Sequence, residues 1–477
     1  MAYSDRDVIS ALQSILGNEK VLTEEEHLKR YGEDQSFIRS LIPICAVRPG
    51  SAEEVREVVL LANRMTVPII PFSSGTNLQG AHIPVKRAIT LDFSGMKKVH
   101  LIDPISRNVI LEPGVTFSEL QDALKRHGMR VLTPVGLPAS ASVIGTYLEL
   151  TPLFSWPKYG PWETLTLRLV LPTGEVMGTG QMDIEASRLP YSWTTPYAVV
   201  SRMFFGAQGT LGVVTKAAIT VKSIYESARV FFIGFDDLRI MSHAIKEFLR
   251  LEVTEEVFVA NRHYLSLFLA RRWPGEYQSF KKIFPPWTLV LVARGYEEEV
   301  ELKSLDLQEK AGDLRLMMKT DLPDLPDAGE RVLGEIARPE GFLNQNRLRG
   351  AWNPIFCYTT GDSLPTFHGA VSSLAERYDY PAEEVGFFML PLNHGATFYF
   401  EPSFYRNPLD SAGSQKVENL FKEASSELIS RGAFFDRPYP LWSEMVYGRA
   451  PTYHQKIREI KGMVDSNNIM NPGKLGL

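Results

Sequence analysis

A run of small residues after a short apolar strand constrains this chain more than any other feature. The strand is Ile69-Ile70, and the run that follows, residues 71–80, reads PFSSGTNLQG. Small residues let backbone N–H groups converge on an anion, and serine and threonine hydroxyls add donors. The run lacks the GK[ST] ending of a Walker loop and the G-x-G-x-x-G spacing of a Rossmann loop. It predicts either a phosphate-binding loop of another kind or an ordinary surface turn.

The composition is that of an ordinary soluble globular protein. The chain has 477 residues, 44% hydrophobic and 22% charged, and this length predicts two domains or three. A net charge of −5 without long runs of one sign gives no reason to expect nucleic-acid or anionic-membrane binding. The first residues lack the basic start and apolar stretch of a signal peptide, and no apolar run is long enough to predict a membrane span.

Only two cysteines occur, Cys45 and Cys357, and they are far apart. A disulfide framework and a cysteine-based metal site are therefore not expected. We expect a cytoplasmic protein with no metal site.

Short helices and strands mix along the chain without the regular alternation of a doubly wound sheet. Capping-box patterns predict helix starts at Ser51 and Thr116. A strand–turn–strand pattern at 164–178 predicts a hairpin. After Val221 the patterns lengthen and predict helices at 243–250, 265–272 and 414–431 and strands at 288–293 and 398–404. We assign the chain to the α+β class.

Three further motifs follow the small-residue loop in a fixed order. They are SVIGT at 142–146 with KYG at 158–160, GAQGTLGVVT at 206–215, and NPGK at 471–474. With this order and spacing the sequence resembles the vanillyl alcohol oxidase / p-cresol methylhydroxylase superfamily. It looks most like the branch of the glycolate oxidase flavin subunit and the D-lactate dehydrogenases. The resemblance is strong from Arg48 to Val221, weak in the middle of the chain and moderate towards its end.

The resemblance implies a two-subdomain FAD-binding domain of the p-cresol methylhydroxylase type at 1–224, with its core at 39–224. It further implies an α+β substrate or cap domain with an antiparallel sheet at 225–430, and a C-terminal segment, 431–477, that returns to the FAD domain. The cofactor-binding residues that it implies are Pro71, Ser73, Ser74, Gly75, Thr76, Asn77, Leu78, Gly80, Pro134, Gly136, Ser142, Gly145, Thr146, Tyr159, Gly160, Gly209, Gly212, Val213, Val214 and Lys474.

The resemblance also bears on how the flavin is attached. Relatives that link FAD covalently carry a histidine where Thr76 stands, or in the late strand where Phe398 and Tyr399 stand. Neither position is a histidine here, so we expect noncovalent FAD. A tyrosyl link through Tyr399 remains the alternative.

Two segments of the second half supply candidate catalytic residues. In the strand GATFYFEP, alternation places Tyr399 and Glu401 on one face, and His394 precedes it. Glu401 is a candidate base or an ordinary surface carboxylate, and His394 is a candidate or a loop histidine. In GAFFDRPYPLW, Arg437 matches the family position that faces the substrate oxygen. Its alternative is a salt bridge with Asp436 or Glu444.

These features support three hypotheses about function. The first is a flavin dehydrogenase that oxidises a small hydroxylated molecule such as a 2-hydroxy acid and passes electrons to an iron–sulfur or cytochrome partner subunit. A variant oxidises an alkylphenol or aromatic alcohol. A hypothesis of another class is an FAD-binding electron-relay or structural subunit of a larger complex. A homo-oligomer is also possible.

Overall fold

The computed structural model describes residues 3–160, 164–183 and 200–477. Within these ranges none of the helices is long and apolar enough to cross a membrane. The helices are α1 (Asp5–Leu16), α2 (Glu25–Gly32), α3 (Ala52–Met65), α4 (Phe117–Lys125), α5 (Val143–Leu148), α6 (Trp156–Tyr159), α7 (Leu238–Leu249), α8 (Arg262–Leu269), α9 (Gly275–Ile283), α10 (Glu297–Asp313), α11 (Ala328–Ala337), α12 (Gly341–Arg347), α13 (Leu364–Arg377), α14 (Ser411–Ser430), α15 (Pro440–Tyr447) and α16 (Pro451–Val464).

The strands form three main sheets and one short pair. They are β1 (Val21–Leu22), β2 (Cys45–Val47), β3 (Ile69–Phe72), β4 (Ile89–Asp92), β5 (Val99–Asp103), β6 (Asn108–Leu111), β7 (Met129–Arg130), β8 (Thr164–Val170), β9 (Val176–Gly178), β10 (Val213–Thr220), β11 (Lys222–Ser223), β12 (Ser227–Phe235), β13 (Glu256–Asn261), β14 (Trp287–Gly295), β15 (Met318–Lys319), β16 (Ala351–Pro354), β17 (Cys357–Thr360), β18 (Gly386–Leu392) and β19 (Thr397–Arg406).

The first sheet carries the small-residue loop. Its order is β1-β2-β4-β3, and β3 pairs in parallel with β4, so the loop leaves the sheet at the carboxyl end of an edge strand. Helix α3 covers this sheet with the buried residues Val55, Val58 and Val59. The predicted capping box at its start is half formed. Ser51 Oγ accepts from Glu54 N at 3.2 Å, while the Glu54 carboxylate accepts from Gly50 N at 2.7 Å.

The second sheet has the order β5-β6-β10-β8-β9, and all of its pairs are antiparallel. The predicted hairpin is present as β8 and β9. The capping box at Thr116 is complete, because Thr116 Oγ1 accepts from Glu119 N and the Glu119 carboxylate accepts from Thr116 N. Strand β10 lies at the centre, so the glycine-rich turn before it is fixed by pairing on both sides.

The third sheet has eight strands and lies in the second half of the chain. Its main path is β15-β12-β14-β13-β18-β19-β16, and β17 also pairs with β19. All of its strand pairs are antiparallel, and α14 packs against β19. The antiparallel sheet and the α+β class therefore agree with the prediction. Strand β19 is bordered by β18 on one side and by β16 and β17 on the other, which fixes the direction of its side chains.

The end of the chain returns to the first sheet. Ile69 N donates to Ile469 O at 2.7 Å, and Asn471 N donates to Ile69 O at 2.9 Å. The Lys461 ammonium group is buried with the Asp465 carboxylate and donates to Thr210 O at 2.7 Å and to Met470 O at 2.8 Å. One side chain thus ties α16, the terminal bridge and the turn before β10 together.

Replacing Lys461 by methionine removes this tie and leaves Asp465 buried without its counter-charge. We expect Lys461→Met to lower the free energy of unfolding by about 3 kcal/mol, because breaking a buried ion pair leaves an uncompensated charge. Urea denaturation followed by circular dichroism measures the loss. The matched control is Lys456→Met, which breaks an exposed pair with Glu459 and should cost less than about 1 kcal/mol. Equal effects of the two substitutions would contradict the assignment.

Candidate active site

One large cavity lies between the small-residue loop after β3, helix α5, the turn before β10, strand β19 and the C-terminal segment. About 1480 Å³ among these residues is free of protein atoms, and this figure includes space open to solvent. Residues from all of these elements line it, so the cavity joins the small-residue loop to the side chains of β19 and of the C-terminal segment.

The small-residue loop offers free amide groups to this cavity. In the part of the chain that the structure describes, the backbone N–H groups of residues 73–77 donate to no protein acceptor. The loop is held by its side chains instead: Ser74 Oγ accepts from Ser142 N at 3.0 Å, and Asn77 Oδ1 accepts from Gln79 N at 2.8 Å. Unpaired N–H groups at a cavity wall are the donors that a diphosphate requires.

Two glycines allow the walls to approach closely. Gly75 has φ +68°, and a Cβ there would lie 2.5 Å from Cζ of Phe72. Gly209 has φ +71°, and a Cβ there would lie 2.7 Å from Cγ of Pro71. Both the conformation and the space therefore require glycine. The residues present fit an FAD diphosphate and the adjoining parts of the cofactor.

The cavity wall contains fourteen of the twenty residues that the resemblance implied for the cofactor. They are Pro71, Ser73, Ser74, Gly75, Thr76, Asn77, Leu78, Gly136, Gly145, Thr146, Gly209, Gly212, Val213 and Val214.

The other six residues lie outside the cavity wall: Gly80, Pro134, Ser142, Tyr159, Gly160 and Lys474. Ser142 caps α5, because its Oγ accepts from Gly145 N at 3.0 Å. The Tyr159 hydroxyl donates to Glu255, which directly precedes β13 of the third sheet, at 2.9 Å. Ser142 and Tyr159 therefore bond to other parts of the protein and do not face the cavity.

Lys474 also acts on the protein rather than facing the cavity. Its fully buried ammonium group donates to Gly80 O at 2.8 Å and to Ile83 O at 2.7 Å. Burial lowers the pKa of Lys474 to about 8, and the more distant Asp34 carboxylate opposes this shift. The lysine therefore fixes the chain that follows the small-residue loop.

Glu401 and Tyr399 reach the cavity from β19, as the alternation predicted. Glu401 is buried, accepts a hydrogen bond from the Tyr399 hydroxyl through Oε2, and leaves Oε1 without a well-aligned partner. Burial raises the pKa of Glu401 to about 7, and the Tyr399 hydroxyl and the Arg437 guanidinium limit the rise. A carboxyl group with this pKa can exchange a proton near neutral pH.

Arg437 enters the same cavity from the C-terminal segment. Its guanidinium is buried, lies 4.1 Å from the ring centroid of Phe356 and forms an ion pair with Asp436, with 3.3 Å between Nε and Oδ1. Burial lowers the pKa of Arg437, but the charge of Asp436 outweighs it and the net shift is upward. Its Nη2 has no hydrogen-bond partner in the described chain. The predicted alternative, a pair with Asp436, is thus present, and it leaves the Nη2 amino group without a hydrogen bond.

His394 does not reach the cavity. It lies exposed on a short turn before β19 with φ +53°, outside the residues that line the wall. Strand alternation predicts the direction of side chains only within the strand. His394 lies in the turn before β19, and this turn places its imidazole outside the cavity wall. The structure thus separates His394 from Tyr399, Glu401 and Arg437, the other three candidates, which all line the cavity.

Glu149 was not among the residues expected at the site. It lines the cavity together with Tyr439, whose hydroxyl donates to Glu149 Oε2 at 2.8 Å. Burial raises the pKa of Glu149, while the Tyr439 hydroxyl and the charge of Arg437 lower it. The available signal was spacing, because Glu149 follows Gly145 by four residues and lies on the same face of α5. Trp352 of β16 and Phe356, which lies between β16 and β17, also line the wall.

Comparisons with known proteins agree with this geometry. Residues 43–180 match the family model of an FAD binding domain. The mitochondrial D-lactate dehydrogenase [cytochrome] of Arabidopsis thaliana is 28% identical over 49% of this chain and 40% of its own length. The D-2-hydroxyglutarate dehydrogenase of Stutzerimonas stutzeri is 22% identical over 99% of both chains. The chain thus spans less than half the length of the mitochondrial D-lactate dehydrogenases that it matches.

A solved structure shares the whole fold. The crystal structure of p-cresol methylhydroxylase with substrate bound superposes with a TM-score of 0.87 at 18% identity, covering 99% of this chain and 96% of that one. At this identity the likeness establishes the fold.

Gly75→Ala should weaken FAD binding. The added methyl group would collide with Phe72 in a backbone conformation that costs other residues roughly 1–3 kcal/mol, so we expect about a tenfold or larger rise in the dissociation constant. Titrating apoprotein with FAD and following flavin fluorescence measures it. The control is Gly312→Ala on α10, where no atom lies within 4 Å of an added Cβ. Unchanged affinity in a folded Gly75→Ala protein would show that the loop does not hold the cofactor.

Proposed function

Because the chain belongs to the p-cresol methylhydroxylase-type FAD-linked oxidase superfamily, we propose that it oxidises a small hydroxylated molecule with bound FAD. One observation carries the proposal. Two buried groups of opposite charge, Arg437 Nη2 and Glu401 Oε1, lack a well-aligned hydrogen bond from the described chain, although the hydroxyl groups of Tyr264 and Ser403 lie close enough to lower the pKa of Glu401. Both residues line the same cavity as the free loop amides. Buried polar atoms are normally paired, so such a pair indicates a ligand between them.

In this proposal the cavity has a cofactor end, at the small-residue loop, and a substrate end, at Glu401 and Arg437. The amide groups of residues 73–77 hold the diphosphate, and Gly145, Gly209 and the start of β10 give the backbone access that the cofactor needs. Bound FAD supplies the acceptor for a hydride. The protein contributes orientation, electrostatics and the exclusion of water at the substrate end.

Glu401 and Arg437 act on the substrate oxygen. Arg437 Nη2 donates a hydrogen bond to that oxygen and orients it, and Glu401 Oε1 accepts the hydroxyl proton. The Tyr399 hydroxyl, which donates to Glu401, fixes the rotamer of the carboxylate. The edge of the cavity formed by Trp352 and Phe356 excludes water from these groups.

Two substrate classes fit a hydroxyl held in this way. The relatives that match along the whole chain suggest a 2-hydroxy acid. The aromatic wall of Trp352, Phe356, Tyr399 and Tyr439 favours the second class, an alkylphenol or aromatic alcohol. Anaerobic mixing of the holoprotein with D-lactate, D-2-hydroxyglutarate and 4-methylphenol, followed by flavin bleaching, tests both. If none of a broad panel of either class bleaches the flavin, the protein is an FAD-binding relay or structural subunit instead.

Electrons leave the flavin to a separate carrier in this proposal. The chain has only two cysteines, both buried and unpaired, so it does not hold a cysteine-ligated iron–sulfur cluster of its own. An iron–sulfur or cytochrome subunit is therefore the proposed acceptor. Reoxidation of bleached flavin by cytochrome c and by O₂, compared in stopped flow, distinguishes a dehydrogenase from an oxidase.

We propose that the FAD is bound noncovalently. The loop position Thr76 has no imidazole, and the Tyr399 hydroxyl is engaged with Glu401. Acid precipitation of the holoprotein should therefore leave all flavin in the supernatant. A yellow pellet from the wild-type protein that becomes colourless in Tyr399→Phe would instead establish a tyrosyl link.

Glu401→Gln tests the proposed base. We expect flavin bleaching by a competent substrate to slow about 100-fold, because the amide cannot accept the proton. In the wild-type protein the bleaching rate should rise with pH through about 7, where Glu401 loses its proton; this rise should disappear in the variant. Glu427→Gln, on the surface of α14 in an exposed pair with Arg431, is the control. Bleaching at the wild-type rate in Glu401→Gln would exclude Glu401 as the base.

A further inference from the structure

We propose that Glu149 makes the substrate end of the cavity selective for an uncharged hydroxyl compound and excludes the matching carboxylate. The inference rests on the proposed function, because it concerns the substrate of the same cavity. It assigns Glu149 as a specificity-determining residue, separate from the residues proposed to handle the reacting hydroxyl. Of the two substrate classes, the proposal therefore favours the uncharged alkylphenols and aromatic alcohols over the 2-hydroxy acids.

Glu149 is held in place by the segment that carries Arg437. The Tyr439 hydroxyl donates to Glu149 Oε2 at 2.8 Å, and Tyr439 N donates to Arg437 O at 2.8 Å. Tyr439 is itself buried and lies against the ring of Phe356. Glu149, which is half-buried and lines the cavity, is therefore held close enough to the arginine for the charge of Arg437 to lower its pKa.

Arg437 is the single cationic side chain other than histidine among the described residues that line the cavity. Its positive charge is opposed by three acidic groups: Asp436 through the direct ion pair, and Glu149 and Glu401 through the cavity. A 2-hydroxy acid would bring a fourth. With one cation for four carboxyl groups, such a ligand meets net repulsion in a site of low dielectric.

The arginine is also partly committed to a carboxylate of the protein. A carboxylate ligand is commonly bound by a bidentate arginine or by several N–H groups. Here Arg437 Nε already donates to Asp436, and this ion pair offsets part of the positive charge that a carboxylate ligand would need. The remaining wall consists largely of aromatic and aliphatic side chains, including Trp352 and Phe356, which suit the uncharged body of a ligand.

The test uses two probes of the same shape that differ in charge, 4-hydroxybenzamide and 4-hydroxybenzoate. Neither carries an alkyl group to oxidise, so binding is read from the change in the absorption of oxidised flavin in the holoprotein. At a pH of about 8, above the pKa of about 7 of Glu401, we expect the wild-type protein to bind the amide at least about tenfold more tightly. Equal or tighter binding of 4-hydroxybenzoate overturns the proposal without any variant.

Glu149→Gln then assigns the effect to one residue. The substitution keeps the hydrogen bond from Tyr439 and removes the charge, so the preference for the amide should fall about tenfold, mainly through tighter binding of 4-hydroxybenzoate. Glu149→Asp retains the charge and should retain the preference. The matched control is Glu444→Gln, an exposed carboxylate on α15 outside the cavity wall, which should leave the ratio unchanged. An unchanged ratio in Glu149→Gln overturns the proposal.

The outcome is distinguishable from failure of the proposed function. If neither substrate class bleaches the flavin but the two probes still differ and Glu149→Gln removes the difference, the selectivity stands and the oxidase assignment fails. If 2-hydroxy acids bleach the flavin rapidly and 4-hydroxybenzoate binds well, the oxidoreductase assignment stands and the role of Glu149 fails.

Discussion

Two buried ammonium groups hold the site together, and the rest of the structure depends on where they place the backbone. Lys461 donates to carbonyl groups in the terminal bridge and in the turn before β10, and Lys474 donates to the carbonyl groups of Gly80 and Ile83. A buried cation is stable only when its donors are satisfied. Each lysine therefore fixes the chain around it, and together they fix both flanks of the cofactor end of the cavity.

The polar atoms that face the cavity are incompletely paired at the substrate end as well. Arg437 and Glu401 are both buried, and Nη2 of the arginine and Oε1 of the glutamate lack a well-aligned hydrogen bond from the described chain. Such atoms are unfavourable in a closed core and are retained where a ligand completes them. The contact of the Phe356 ring with the guanidinium, and the hydrogen bond from Tyr399 to Glu401, hold the two side chains in place. Both ends of the cavity thus combine satisfied contacts behind the wall with unpaired groups on it.

Much of this arrangement could be predicted from the sequence, and the reasons are local. The composition of the loop after Ile69-Ile70 already indicates its role. The direction of the Glu401 side chain follows from strand alternation, and pairing of β19 with β18 on one side and with β16 and β17 on the other keeps the strand regular. Arg437 was found by its place in a family motif. Tyr159 and Lys474 belong to motifs of the same kind, yet they turn away from the cavity because their polar groups find Glu255 and two backbone carbonyl groups.

Other features depend on contacts that no local pattern reveals. Glu149 and Tyr439 meet across 290 residues, and neither segment alone indicates the partner. His394 lies in a turn before β19, and the sequence does not predict the backbone conformation of this turn. Strand alternation therefore could not predict the direction of the His394 side chain. Distant pairing and turn geometry are decided by tertiary packing, which a periodic pattern does not encode.

The bridge from Lys474 to Gly80 joins residues 394 positions apart, and this has a consequence for biosynthesis. The small-residue loop is translated before the strands of the third sheet, and Lys474, which immobilises the chain beyond the loop, is translated after them. Contacts with such long sequence separation are slow to form in folding. A cofactor that requires the immobilised loop should accordingly bind only after the third sheet has been translated.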